Sequence, residues 1–383
     1  MTLACCMGLF SFGLFIIGFQ KTVADIAATF GLNESQKADL NFCFYLSFTG
    51  CLLLSSYLSE KVSKRSLVLF GYIVYTLSVT LLGVSASLPR GYFFAITALF
   101  GAGFGCGIMQ GCASSLLSEM YPSESAKYLN ISQAFFAVAA IAGPSYASLM
   151  VSFGGWGLNY TSLGAFGVLG IVLTTLGRVP HNEQKGTFSF ISLFSYLRDG
   201  RFVLIYLCLV FYVAAEVGPC TFMDSYLRAR FDKTQGQTAF IVTLFWIGMA
   251  AGRAVYIPSV KRFGDNAPVF VSCVMGTITI LIFTLTDNFP VAAACVGIYG
   301  LSISGMFPTL FAQIPRHFPK NVGAAMNLAA SAGGIGAALG PKIIGAAADS
   351  PVISLRYSFL CAVGFLSAVA ICLTALRKTA GKQ

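Results

Sequence analysis

The chain of 383 residues is 56% hydrophobic and only 10% charged, with a mean hydropathy of +0.78. Soluble domains carry roughly 25% charged residues, so there is too little polar surface here to face water, and a bilayer is the natural solvent. The net charge of +10 does not point to nucleic acid, because the basic residues sit in short turns and form no stripe with interleaved aromatics.

A transmembrane helix needs about 20 mostly apolar residues. Such windows run over residues 2–29, 35–58, 65–86, 91–119, 125–151, 157–178, 200–225, 235–257, 267–287, 290–313, 321–347 and 354–376. The first has no basic n-region and continues past Phe19, which predicts a membrane helix rather than a cleaved signal peptide. The longest hydrophilic interval, residues 178–201, leaves six windows on each side. The expected architecture is therefore an all-α membrane protein of twelve transmembrane helices in two pseudo-symmetric six-helix bundles. The bundles are residues 1–178 and 200–383, joined by a cytoplasmic linker over 179–199. The other turns are too short for a soluble domain.

The two halves repeat each other. Tyr121-Pro122 returns as Phe318-Pro319, Leu129-Asn130 as Met326-Asn327 and Gly143-Pro144 as Gly340-Pro341, all at one offset of 197 residues. Three separate landmarks at one offset indicate a tandem duplication. The turn Thr29–Gln36 has a partner in Arg230–Gln237 at an offset of 201, with Asn33 or Ser35 as the expected cap of the second helix.

Most Lys and Arg fall in one set of turns, among them Lys61, Lys64, Arg65, Arg198, Arg201, Lys261, Arg262, Arg316 and the tail after Leu376. The positive-inside rule then places both termini and the central linker in the cytoplasm. The twelve cysteines are scattered, mostly inside apolar spans, without a CxxC pair or metal-ligand spacing. They are expected to be free thiols acting as small hydrophobes, with no metal and no cofactor.

Polar groups inside a membrane cost free energy unless they are paired or face water, so each is a functional candidate. Gln110 and Ser114 share a face of span four, and Asn130 and Gln133 a face of span five. Amides donate and accept without charge, which suits sugar hydroxyls; the plainer alternative is hydrogen bonding between packed helices. Asn327, the repeat mate of Asn130, serves equally as a contact or a gate. Tyr212 and Glu216 share a face of span seven, and Glu216 is the carboxylate expected near the bilayer centre, a candidate proton or sodium carrier. Trp246 offers a broad ring to a sugar's C–H face, and Arg253, seven residues on, is expected at a gate or snorkelling. Gln20, Lys21 and Asp25 close span one, with Lys21 and Asp25 spaced for a local ion pair. Lys342 is expected to snorkel or line a vestibule. Runs of glycine, such as Gly101 to Gly111 and Gly333 to Gly340, allow close helix approach, and Pro144 and Pro341 are expected kinks.

The turn after span two, Ser56–Arg65, and its counterpart Pro258–Asp265 resemble the acidic-basic turn of the major facilitator superfamily, commonly written G-x-L-x-D-R-x-G-R-R. Leu58, Glu60, Lys61, Lys64 and Arg65 match, while Ser56 and Ser63 replace the usual glycines. Within that superfamily the chain resembles the fucose-permease-like sugar transporters. Gly103, Gly105, Gly107 and Gln110 are similar to their G-x-G-x-G-x-x-(E/Q) pattern, and Leu129, Asn130, Gln133, Ala134, Phe135, Gly143 and Pro144 to their L-N-x-x-Q-A-F…G-P. Tyr212 to Glu216 is similar to Y-V-G-A-E, and Phe245 to Arg253 to F-W-x-G-M-x-x-G-R.

The resemblance implies alternating access through a central cavity, with substrate contacts among Gln20, Gln110, Ser114, Asn130, Gln133, Tyr212, Trp246 and Asn327. Gate or charge-relay roles go to Lys21, Asp25, Glu60, Lys61, Arg65, Arg253 and Arg262. One departure matters. The proton-coupled members carry an aspartate in helix one and a glutamate in helix four, where this chain has Gln20 and Gln110. Coupling then passes to Glu216 or to sodium, or the protein is a facilitator.

The expected function is a secondary active or facilitative transporter of a small polar solute, a sugar or related polyol. A multidrug or organic-anion transporter of the same fold is the alternative. Ala147 and Ser148 weaken the exporter's Gly-Pro motif, whereas Lys21 and Arg253 would favour an anion. A non-transporting membrane receptor is a more distant reading. No enzyme signature is present, and His181 and His317 lie in turns. Expected partners are the solute, a proton or sodium, and the lipid bilayer, for a monomeric multi-pass protein of the plasma or inner membrane.

Overall fold

The computed structural model describes residues 1–121, 125–177, 196–318, 322–351 and 353–380. Its α-helices are α1 (Thr2–Phe30), α2 (Glu34–Lys61), α3 (Lys64–Val84), α4 (Gly91–Met120), α5 (Ser125–Leu176), α6 (Gly200–Phe231), α7 (Gln235–Phe263) and α8 (Asn266–Leu285). They continue as α9 (Phe289–Ile303), α10 (Met306–Phe311), α11 (Gln313–His317), α12 (Val322–Ala348), α13 (Leu355–Ser358) and α14 (Leu360–Ala380). No strand occurs among the described residues. By length and composition, eleven helical runs among the described residues can cross a membrane.

The longest run, α5, joins two of the expected spans across Gly154-Gly155. Gly154 has φ −161°, ψ 28°, and Gly155 has φ 73°, ψ 178°, outside the helical region. The chain folds back there. Tyr146 and Ser162, 16 residues apart and on opposite sides of the glycines, share a hydroxyl hydrogen bond of 2.7 Å. On a straight helix that separation would be about 24 Å. The non-helical dihedrals in α5 thus fall at these glycines, ten residues beyond Pro144, where a kink was expected.

The expected tenth span, 290–313, is interrupted. Helix α9 ends at Ile303, and Gly305 separates it from α10. A Cβ on Gly305 would lie 2.0 Å from Cγ of Tyr256, so a glycine is what lets the tyrosine ring close against the chain there. The last expected span also divides, between α13 and α14 at Phe359.

Two compact units emerge: residues Met1–Leu32 with Cys43–Ser189, and Asn33–Phe42 with Phe190–Gln383. In the first, α1 packs on α5 and α4, and α3 on α4 and α5. In the second, α6 packs on α12 and α14, α7 on α9, and α8 on α9 and α14. The start of α2 belongs to the second unit, where Asn41 donates to the Ala337 carbonyl at 2.8 Å.

The close approach expected of the span-four glycines follows their spacing. Ideal Cβ atoms on Gly103 and Gly107 would meet carbonyl oxygens of α2, those of Phe44 at 2.2 Å and Phe48 at 2.5 Å. One on Gly105 would meet the Gly71 carbonyl of α3 at 2.7 Å. Residues four apart share a helix face, so alternate glycines admit two different neighbours to the backbone of α4.

The repeat extends to hydrogen bonds. Asn33 and Gln36 form a reciprocal capping box at the start of α2, with Gln36 N–H to Asn33 Oδ1 at 2.8 Å and Asn33 N–H to Gln36 Oε1 at 3.0 Å. Thr234 and Gln237 form the same box at the start of α7. Asn33 is thus the cap, and Ser35 is held by Asp349 instead.

Candidate functional site

In the first unit, α1 carries Gln20 and Lys21, both buried, the latter at 0% exposure. The Gln20 Oε1 and the Oε1 of half-buried Gln110 on α4 are enclosed yet have no hydrogen-bond partner. Ser114, one turn beyond Gln110, is half-buried. Near Gln20, Thr22 donates to the Gly18 carbonyl at 3.0 Å and shares a hydrogen bond with the Tyr160 hydroxyl at 2.7 Å. The side chains of Asn130, Gln133 and Asn327 lie outside the described residues, as does that of Glu60.

Two features escaped sequence reasoning. Asn159 is fully buried, and neither its Oδ1 nor its Nδ2 has a partner. Its Nδ2 would lie 3.6 Å from a Cβ on Gly18, so it faces α1 just before Gln20. A single Asn in an apolar span was the available signal. The second feature is a group of rings around Phe12, two helical turns before Gln20. The Phe12 centroid lies 5.1 Å from Phe48, 5.7 Å from Phe136 and 6.4 Å from Phe44. With 35 phenylalanines in the chain, no spacing distinguishes these four in advance.

In the second unit, Tyr212 is buried, and its hydroxyl is hydrogen-bonded to Glu216 one turn later on α6. Arg253 of α7 is close enough for its charge to act on the same carboxyl group. Arg253, expected at a gate or snorkelling, is exposed on α7. Beside them, Tyr299 donates to the Ala215 carbonyl at 2.6 Å, and Phe307 lies 6.2 Å from the Tyr212 ring. Trp246 is 8% exposed, and its Nε1 has no partner.

The remaining charged residues are occupied locally. Arg65 donates to the Thr174 and Thr175 carbonyls at 3.1 and 2.6 Å, closing the C-terminal end of α5. Its neighbour Lys64 pairs with Glu119 of α4. Lys61 lies over the Tyr57 ring at 4.5 Å, and Arg262 against the Phe263 ring at 5.2 Å. Asp25 accepts from Thr29 through its backbone carbonyl at 2.8 Å. Lys342, expected to snorkel, pairs with Asp39.

Buried uncharged polar atoms with spare hydrogen-bonding capacity, carried on helices long enough to cross a bilayer, define a multi-pass membrane protein. The profile of the Major Facilitator Superfamily matches residues 3–341 and again 219–383, and the chain belongs to that superfamily. It is 25% identical over 366 residues to the glucose/galactose transporter of Brucella abortus (biovar 1, strain 9-941), covering 90% of this chain and 87% of that one. Among solved structures, the nucleoside transporter NupG superposes with a TM-score of 0.79 at 13% identity, over 98% of this chain and 99% of that one. The E. coli fucose:proton symporter gives 0.66 at 17% identity, over 98% of both chains. The protein is a small-solute transporter of this superfamily.

Proposed function

We propose that the transported solute is an uncharged polyhydroxylated molecule of the sugar class, moved by alternating access. The observation that carries this reading is that three of the candidate contacts hold unpartnered neutral polar atoms: Oε1 of Gln20 and Gln110 in one unit and Nε1 of Trp246 in the other. Leaving a buried polar atom unpaired costs about 1–3 kcal/mol, so each such group is poised to gain from a ligand's hydroxyl. The rings of Phe12 and Trp246 supply apolar faces of the kind that cover the C–H side of a pyranose. The glucose/galactose relative supports the same class. Counting the folded α5 as two crossings gives twelve, in six plus six, with both termini in the cytoplasm by the excess of basic residues in those turns.

For coupling, the Tyr212–Glu216–Arg253 group is the candidate, since Gln20 and Gln110 cannot titrate. Asn130, Gln133, Ser114 and Asn327 remain proposed contacts. The deciding experiment is uptake into proteoliposomes of labelled hexoses, nucleosides and organic anions. Gln110→Ala should leave the melting temperature nearly unchanged, because its Oε1 holds no partner, while raising KM for a hexose. Uptake restricted to nucleosides or organic anions would overturn the sugar assignment. An unaltered KM would remove Gln110 from the site.

A further inference from the structure

A cavity of about 390 Å³ opens in the second unit between α7, α8 and α9, and neither Tyr212 nor Glu216 lines it. Its walls include Val255, Phe263, Val271, Met275 and Leu301, all at least 45% exposed, so they stand on an outward face of the helices. Its lining also has four hydroxyl groups, but each is already engaged. Ser272 donates to the Tyr256 hydroxyl at 3.3 Å, Ser259 to the Val255 carbonyl at 2.9 Å and Ser302 to the Ile298 carbonyl at 2.7 Å. A polar solute would find few unmet partners there, whereas a hydrocarbon chain would fit.

The dimensions point the same way. From Gly252 to Phe263 the α7 wall rises about 16 Å at 1.5 Å per residue. That is roughly one leaflet of a hydrocarbon core about 30 Å thick. At the Phe263 end lies the α7–α8 turn with its cations. Lys261 and Arg262 are exposed, and the Arg262 guanidinium rests on the ring of Phe263, which itself lines the cavity. The carboxylate of that turn, Asp265, is already paired with Arg316 at 2.6 Å. The turn thus presents positive charge over a slot of acyl-chain length.

We propose that this cavity holds one acyl chain of an anionic glycerophospholipid, with its phosphate on Lys261 and Arg262. The site is separate from solute transport and rests on no assignment of the solute. Two cations near a membrane surface discriminate anionic from zwitterionic lipid by about tenfold or more.

The test uses the full-length protein in a neutral detergent, offered dioleoyl phosphatidylglycerol or dioleoyl phosphatidylcholine. Bound lipid is counted by native mass spectrometry, and stability is followed by thermal unfolding. One phosphatidylglycerol should remain bound and raise the melting temperature, with phosphatidylcholine about tenfold weaker. Lys261→Ala/Arg262→Ala should abolish that preference, whereas Lys233→Ala, in the turn before α7, should keep it. Val271→Trp, at an outward position that tolerates bulk, should fill the slot and lower occupancy by both lipids. Equal retention of the two lipids by the wild type would overturn the proposal. So would a preference that survives in the double alanine variant, or unchanged occupancy in Val271→Trp.

Discussion

Asp39 and Lys342 form an ion pair inside the second unit although 303 residues separate them in sequence. Their side chains are 37% and 36% exposed, so water screens the attraction, and such pairs contribute about 0–1 kcal/mol. Asp349, seven residues beyond Lys342, does more. Its carboxylate accepts the N–H groups of Glu34 at 3.0 Å and Ser35 at 2.6 Å, two free donors at the positive end of α2. Asp349→Ala should cost about 0.5–2 kcal/mol of stability, as loss of a helix cap does. A double-mutant cycle on Asp39→Asn and Lys342→Met should return a coupling below about 1 kcal/mol. Thermal unfolding of the four variants checks the order, and a larger loss at Lys342 than at Asp349 would refute it.

Glu216 feels the charge of Arg253 only at a distance. Arg253 is exposed, so Arg253→Met should destabilise by less than about 1 kcal/mol. In proteoliposomes, Glu216→Gln alone should abolish accumulation driven by a pH gradient while sparing solute exchange. Accumulation that persists in the variant would exclude Glu216 as the carrier.

Two glycines should fail on substitution for different reasons. Gly155 has φ +73° and nothing within 4 Å of an added Cβ, so Gly155→Ala meets backbone strain alone, about 1–3 kcal/mol. Gly103→Ala suffers no dihedral strain but drives a methyl group to 2.2 Å from the Phe44 carbonyl oxygen, forcing α2 and α4 apart. Overpacking of this kind costs about 1–3 kcal/mol. The two separate by relief: with ψ 178°, Gly155 lies outside the left-handed helical region that asparagine tolerates, so Gly155→Asn should lose as much as Gly155→Ala. A melting temperature for Gly155→Asn well above that of Gly155→Ala would contradict the strain account.

Asp287, in the turn between α8 and α9, is bonded to Arg230 and also faces Arg356 at 3.0 Å. The Arg230 hydrogen bond, followed by the charges of both guanidinium groups, holds its carboxyl below the usual carboxylate range. A lowered folded-state pKa contributes stability above the unfolded value of about 3.9 and loses it as the pH falls through the folded value. The difference in melting temperature between wild type and Asp287→Asn should therefore be flat from neutral pH down to about 5, and shrink only below about 4. A difference that disappears between pH 7 and 5 would mean that the bridge is not what Asp287 contributes.

Much of the fold was legible because the bilayer imposes local rules. The span windows, the half-to-half offset and a cap at Asn33 or Ser35 could all be read from short stretches, and the matching box at Thr234 and Gln237 shows the repeat reaching into hydrogen bonds. The break at Gly305 was not legible, and neither was the packing of the Tyr256 ring, from another helix, into the space that a Cβ there would fill. Nor was the membership of residues 33–42 in the second unit, which follows from contacts with α12. Of the proposed solute contacts, Gln20, Gln110 and Trp246 stood out by type, as uncharged polar groups in apolar spans. Asn159 has the same property and was overlooked.

Sequence by itself determined that this chain is an integral membrane protein and where most of its apolar helical stretches lie. Those facts depend on apolar length and on satisfying backbone groups within each helix, both properties of contiguous residues. Tertiary structure alone decided which polar atoms are left without partners, that Tyr212 bonds to Glu216, and where a slot remains between α7, α8 and α9. Each of these depends on how side chains distant in the chain meet, and a hydrogen bond made or left unmade between helices leaves no trace in local composition.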